Sequence, residues 1–191
     1  QAYARFWEGC AAMFSMRAEW FDACSCLVAF CKNSKAESTK VMEFQHMLIR
    51  LFSMLHALAL ADIEDSNSDE ISEIAAFKYE LLDASGVDEQ SLKAVKESDS
   101  KVELVFQWVQ QLLVENIDND VLSIPPPILS RAFQELANGM VAFHEAIKIS
   151  TIPFPFPYAQ TCECLLMIHW VVTPIVVAQW VSTPWWGCIF A

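Results

Sequence analysis

The chain has 191 residues, 54% of them hydrophobic, and carries 24 acids against 12 bases for a net charge of −12. That length holds one domain with a substantial core, and the acidic balance excludes the electrostatic footprint of a nucleic-acid binder. High apolarity and high charge conflict in a uniform globule, so the two must be segregated along the chain.

They are. Sixteen acids and four lysines lie between Asp62 and Asp120, a balance equal to that of the whole chain, while from Thr151 to Ala191 only Glu163 is charged. Three regions follow: 1–150, helical and mostly cytosolic, with the acidic segment 62–120; 151–160, a proline-rich connector; and 161–191, a transmembrane region cut short by the end of the chain. Seven cysteines is an odd number in a chain that is not a small loop-rich scaffold, which points to free thiols.

The first element, from Gln1 to about Lys32, is helical in pattern. It has no proline, and Phe6, Trp7, Cys10, Met13 and Phe14, then Trp20, Phe21, Cys24, Leu27 and Val28, recur at helical spacing. Asn33 to Thr39 reads as a turn and a cap. A second helix, Lys40 to Ala61, is apolar nearly all round, with Arg50 near its middle. A central arginine is costly in a lipid-facing span, so this helix belongs inside the protein or against a neighbouring subunit. The acidic stretch Asp62–Glu73 lacks the ordered Gly and Glu positions of a calcium loop and reads as a solvated loop. Short helices follow up to Gly86 and again over Asp88–Lys101.

The stretch Val102–Ile117 is a cleaner amphipathic helix, with Leu104, Val105, Trp108 and Leu112 on one side. A last polar-side helix starts near Pro127, where proline suits a first helical position, and runs to about Ile149. Gly139 in its middle either weakens it or lets another backbone come close. Then comes Ile152–Pro157, with Pro153, Pro155 and Pro157 alternating with aromatics. Each proline lacks a helical donor and biases its predecessor toward extended geometry, so the segment reads as an extended connector. Beyond Glu163 no residue is charged, and although Pro174 and Pro184 interrupt it, the run is long enough to cross a bilayer. All twelve Lys and Arg precede Thr151, which sets the polar part on the cytoplasmic or equivalent side. No strand pattern persists, so the chain reads as all-α.

Two local motifs carry a family resemblance. Arg5-Phe6-Trp7-Glu8-Gly9 resembles the Arg-Trp-Trp-Glu motif of the bestrophin family of anion channels, with Phe6 replacing the first tryptophan and losing its indole donor. Ile152–Gln160 resembles the family's Ile-Pro-x-x-Tyr-x-Gln segment, where the chain re-enters the membrane. Their order and their spacing of about 150 residues are also similar to the family's. The resemblance implies a pentamer around one ion pathway, built from mostly helical subunits that pass the membrane several times, in a plasma or organelle membrane, including a plastid one. It makes Arg5, Trp7, Glu8, Pro153, Pro155, Tyr158 and Gln160 structural motif residues. Ile128, after the triple proline, stands where the family has its cytosolic aperture. The family's hydrophobic neck and its usual calcium-sensing carboxylates lie outside this chain, which reads as a fragment, so the resemblance leaves calcium regulation open. The implied activity is passive conduction of chloride or another small anion such as bicarbonate, without a cofactor.

Other chemistry is poorly supported. Cys24/Cys26 and Cys162/Cys164 have one-residue gaps, shorter than structural zinc sites use, and His46, His56, His144 and His169 are scattered. His144-Glu145 lacks the second histidine of a zinc-peptidase helix. The alternatives to a channel are a membrane-anchored acidic scaffold for a basic partner and, more remotely, a thiol-dependent redox enzyme using Cys24 and Cys26.

Overall fold

The computed structural model of the protein describes residues 2–65, 89–152 and 155–180. They form six α-helices: α1 (Ala2–Phe30), α2 (Ser38–Asp65), α3 (Glu89–Glu97), α4 (Lys101–Asp118), α5 (Pro126–Thr151) and α6 (Phe156–Trp180). No strand occurs among the described residues, so the all-α expectation holds. The acidic stretch expected to be a loop begins as helix, because α2 continues through Asp65. The rest of it, and the helices expected before Gly86, lie outside the described residues.

The chain divides into two compact units, Gln1–Thr151 and Ile152–Ala191. In the first, each long helix contributes to a common core, by a narrow stripe on α1, α4 and α5 and by a broader face on α2. α1 supplies Met16, Trp20, Ala23 and Leu27; α2 supplies Phe44, Leu48, Leu51, Leu55 and Leu58. α4 adds Val102, Val105, Val109 and Leu113, and α5 adds Leu129, Ala132, Leu136, Gly139, Phe143 and Ala146. Alternating steps of three and four residues are the signature of helices packed nearly along one another. No Asp, Glu, Lys or Arg among the described residues is buried.

Two faces differ from the expected ones. On α1, Phe6, Trp7, Met13, Phe14 and Phe21 are exposed, and the buried stripe is offset from them through Ala12, Met16, Trp20, Ala23 and Leu27. On α4 the buried line is Val102, Val105, Val109 and Leu113, while Leu104, Trp108 and Leu112 flank it half-covered. On α4 the buried line is mostly valine, and on α1 the bulky Trp20 is taken in because Gly139 opposite leaves it room.

The connection after α4 locks two loops together. Asn119 and Asp120 close the helix by donating to the Glu115 and Ile117 carbonyls, and Val121 and Leu122 donate to Asn116 O. Asp120 takes the left-handed conformation (φ 58°) that usually marks a helix C-terminus. Its carbonyl then accepts from the amide of Lys35 and from the hydroxyls of Ser34 and Ser123. The loop before α2 and the loop before α5 are thus fastened at one oxygen.

α1 and α5 lie antiparallel, and the Trp20 indole covers Gly139. A Cβ at Gly139 would stand 2.3 Å from Trp20 Cδ1, and Trp20 Nε1 donates to Leu136 O at 3.3 Å. Gly139 therefore admits a side chain from α1, not a second backbone. Gly139→Ala should destabilise the fold by about 1–3 kcal/mol through overpacking, despite alanine's helix propensity, better by about 1 kcal/mol. In a Trp20→Leu background the same change should become neutral or favourable. A denaturation double-mutant cycle reads both effects.

Candidate functional site

The first motif lies at the start of α1, against the end of α5. Arg5 is half-buried and its Nη2 donates to the Ile149 carbonyl at 2.7 Å. Ile149 is within the last turn of α5, where carbonyls have no helical partner and a cation meets the negative end of the helix dipole. The same end of α5 is held by a second contact, Ser150 Oγ donating to Ile63 O of α2 at 3.3 Å. Arg5 therefore ties α1 to the backbone that leads directly into Ile152 and the proline motif. Glu8, one turn on, is exposed. Trp7 is half-exposed and sits edge-on to Tyr3 and Phe6, with ring centroids 5.9 and 5.6 Å apart. The motif aromatics thus form a cluster on the outer face of α1.

Ile128 occupies the first turn of α5. Pro125 supplies the carbonyl that accepts from the Ile128 and Leu129 amides, so prolines 126 and 127 fall where a missing N–H costs nothing. Leu129 is buried while Ile128 points outward, 51% exposed. The helix start thus presents one apolar side chain at a fixed position.

The second motif departs from the extended connector expected. Pro153 lies outside the described residues. Pro155 is the turn residue whose carbonyl accepts from Tyr158 and Ala159, and the helix starts at Phe156 with Pro157 in its first turn. Proline 157 initiates α6 instead of extending the chain, by the same device as at α5. Tyr158 and Gln160 are exposed on the opening turns of α6. Farther along, α6 carries Pro174 within it, and Thr173 Oγ1 lies 3.2 Å from His169 Nδ1. From Phe156 to Val177 this helix is long and apolar enough to cross a membrane, and none of it is buried; α2 passes the same test of length and composition from Ser38 to Glu64, but half of it is buried.

Cys24 and Cys26 are not set up as a reactive pair. The six described ones are all free. Burial pushes the Cys24 thiol up to about 11, and burial with the nearby Asp22 raises Cys26. Both are thus protonated at neutral pH and poor nucleophiles. No cluster of potential metal ligands occurs among the described residues.

Sequence reasoning passed over one polar junction. Glu19 of α1 meets Glu135 of α5, beside the Asn138 amide (3.4 Å to Glu135 Oε2) and Arg131 Nε (3.6 Å to Glu135 Oε1). The shared hydrogen bond with Glu135, partial burial and the charges of Glu135 and Asp22 raise Glu19 above the ordinary carboxyl value. Nothing in the sequence pairs two acids 116 positions apart; only the antiparallel register does so. No family model, curated protein or solved structure matches the chain.

Replacing Arg5 by Met should cost about 1.5 kcal/mol, the value of a hydrogen bond made by a charged group. Arg5→Lys should recover part of that loss, and an unchanged melting temperature in Arg5→Met would mark Arg5 as a surface residue. The Glu19–Glu135 junction makes a pH-dependent contribution. A raised folded-state value means the protonated carboxyl stabilises the fold below the unfolded value of 4.5 and that this is lost as pH rises through the folded value. Glu19→Gln should therefore flatten the fall of melting temperature above pH 4.5 and melt higher than the parent at pH 7.

Proposed function

We propose that the chain is part of a bestrophin-like channel subunit that passes chloride or another small anion, bicarbonate among them, passively across a membrane as one member of a pentameric ring. The observation that carries this reading is the hydrogen bond from Arg5 to Ile149 O. The two sequence motifs of the resemblance lie about 150 residues apart, yet the arginine of the first holds the carbonyl three residues before the second begins. Such a link is what a subunit needs if its membrane-entering segment is to be aimed from a rigid helical base.

Three further features support the reading. α6 offers an uncovered apolar helix of spanning length. Every described acid stays out of the core, so the negative charge lies on surfaces where it need not face an anion pathway. Ile128 is an outward-pointing aliphatic residue on a helix start held by prolines, and an apolar ring of such residues restricts a pore by dewetting and size, with no catalytic group. In this reading Tyr158 and Gln160 lie where α6 enters the membrane interface, and the subunit crosses a plasma or organelle membrane more than once.

The test uses the protein expressed from the complete transcript. Native mass spectrometry should give five copies, and proteoliposomes should release chloride without an energy source. Ile128→Ala should shift the permeability ratio of large to small anions several-fold toward the large. A mass of one or two copies together with no flux overturns the channel and leaves a membrane-anchored acidic scaffold as the reading.

A further inference from the structure

A groove of about 560 Å³ opens between α1 and α2, a size typical of small-molecule sites. Its walls come from positions one turn apart on each helix, so the side chains line up along its length. Trp20, Phe52 and Leu60 form an apolar floor, and Phe21 and Ile49, both exposed, stand at its rim. The polar groups that reach it are Arg17, Ser53 and His56. In a chain with twice as many acids as bases, the described lining contains no Asp or Glu. Arg17 is exposed and makes no ion pair among the described residues.

We propose that this groove binds a free fatty acid, the acyl tail along Trp20, Phe52 and Leu60 and the carboxylate on Arg17, with His56 and Ser53 beside it. Every methylene buried against that floor adds to binding, which favours a chain over a compact anion such as chloride. The head group is selected by charge: a guanidinium takes a carboxylate through two parallel hydrogen bonds, and a cationic head would meet Arg17 with no acid to offset it. A single-chain lipid fits better than a two-chain one, because one apolar floor lies under one cation. The exposed rim at Phe21 and Ile49 leaves the groove open to entry along its length. This site is independent of conduction and is present whether or not the protein forms a pore.

The experiment is photo-crosslinking of the full chain in zwitterionic lipid nanodiscs, with a diazirine-bearing dodecanoate and a diazirine-bearing dodecyltrimethylammonium as paired probes. Dodecanoate should label the α1 and α2 peptides that line the groove, and excess unlabelled dodecanoate should displace it. Arg17→Glu should cut that labelling at least tenfold and admit the cationic probe; Arg17→Lys should cut it less. Labelling of α6 serves as the internal control and should not change, and circular dichroism should show Arg17→Glu folded, since Arg17 is exposed. If Arg17→Glu were to unfold, Arg17→Gln would carry the same expected loss. Equal labelling by both probes, labelling unchanged in these variants, or no labelling of the groove would each overturn the proposal.

Discussion

The structure of the first unit depends on the contact between an indole and a glycine. Trp20 lies against the bare backbone of Gly139 and hydrogen-bonds the carbonyl one turn earlier. Antiparallel helices advance in opposite senses, so one such contact sets every other pair along them. Eleven residues back from Trp20 brings Gly9 on α1; ten residues on from Gly139 brings Ile149, whose Cγ2 a Cβ at Gly9 would meet at an ordinary 3.8 Å. Arg5 then falls one turn beyond, within reach of the last carbonyls of α5. Next to Trp20 the same register brings Glu19 to Glu135. The motif contact and the paired acids are consequences of one fixed register. A slip by a single turn would remove the hydrogen bond to Leu136 and take Arg5 off the helix end.

This explains what could be read from the sequence and what could not. Helix existence was legible, because long runs without proline and with apolar residues every three or four positions have few alternatives. The start of α5 was legible within one residue, from the chemistry of proline at a first turn. The buried faces were less so. In α1 the aromatics Phe6, Trp7, Phe14 and Phe21 look like a core and lie outside it, whereas Trp20 is buried. Periodicity gives a face but not which of two adjacent faces meets the neighbour. That depends on Gly139, Ala142 and Ala146 opposite, a pattern of small residues that matters only once the partner helix is known. The Glu19–Glu135 junction and the α1–α2 groove are of the same kind: each needs two helices and a register.

The prolines show a different limit. Counted one by one, Pro153, Pro155 and Pro157 argue for extended chain, since each removes a donor. The structure uses that loss. At Pro125 and again at Pro155 the carbonyl accepts the first amides of the next helix, and the prolines that follow occupy first-turn positions where no donor is needed. A segment rich in proline is thus a poor helix interior and a good helix start. Only Ile152–Pro155 separates the end of α5 from the start of α6 in the sequence.

α2 and α6 differ in how far their apolar surface is covered. Both are long and apolar enough to cross a membrane, so composition does not separate them. Their surroundings do. The apolar stripe of α2 is already covered by its neighbours in the first unit, and its half-exposed Arg50 sits near mid-helix; crossing a bilayer would place that guanidinium where it is most costly. α6 has no Lys or Arg and a single acid, Glu163, in its second turn. It also shows leucine, isoleucine, valine and tryptophan on every side, with Trp170 and Trp180 79% and 84% exposed. A helix apolar all round buries no stripe against one partner; its cover must surround it. Lipid does so at no cost in backbone polarity, because a helix satisfies its own hydrogen bonds, and the amide that Pro174 lacks is the sort of gap a membrane helix tolerates. The charge segregation that opens the sequence thus has a structural counterpart: acids on the surface of a helical bundle, and a helix whose surface contains almost none.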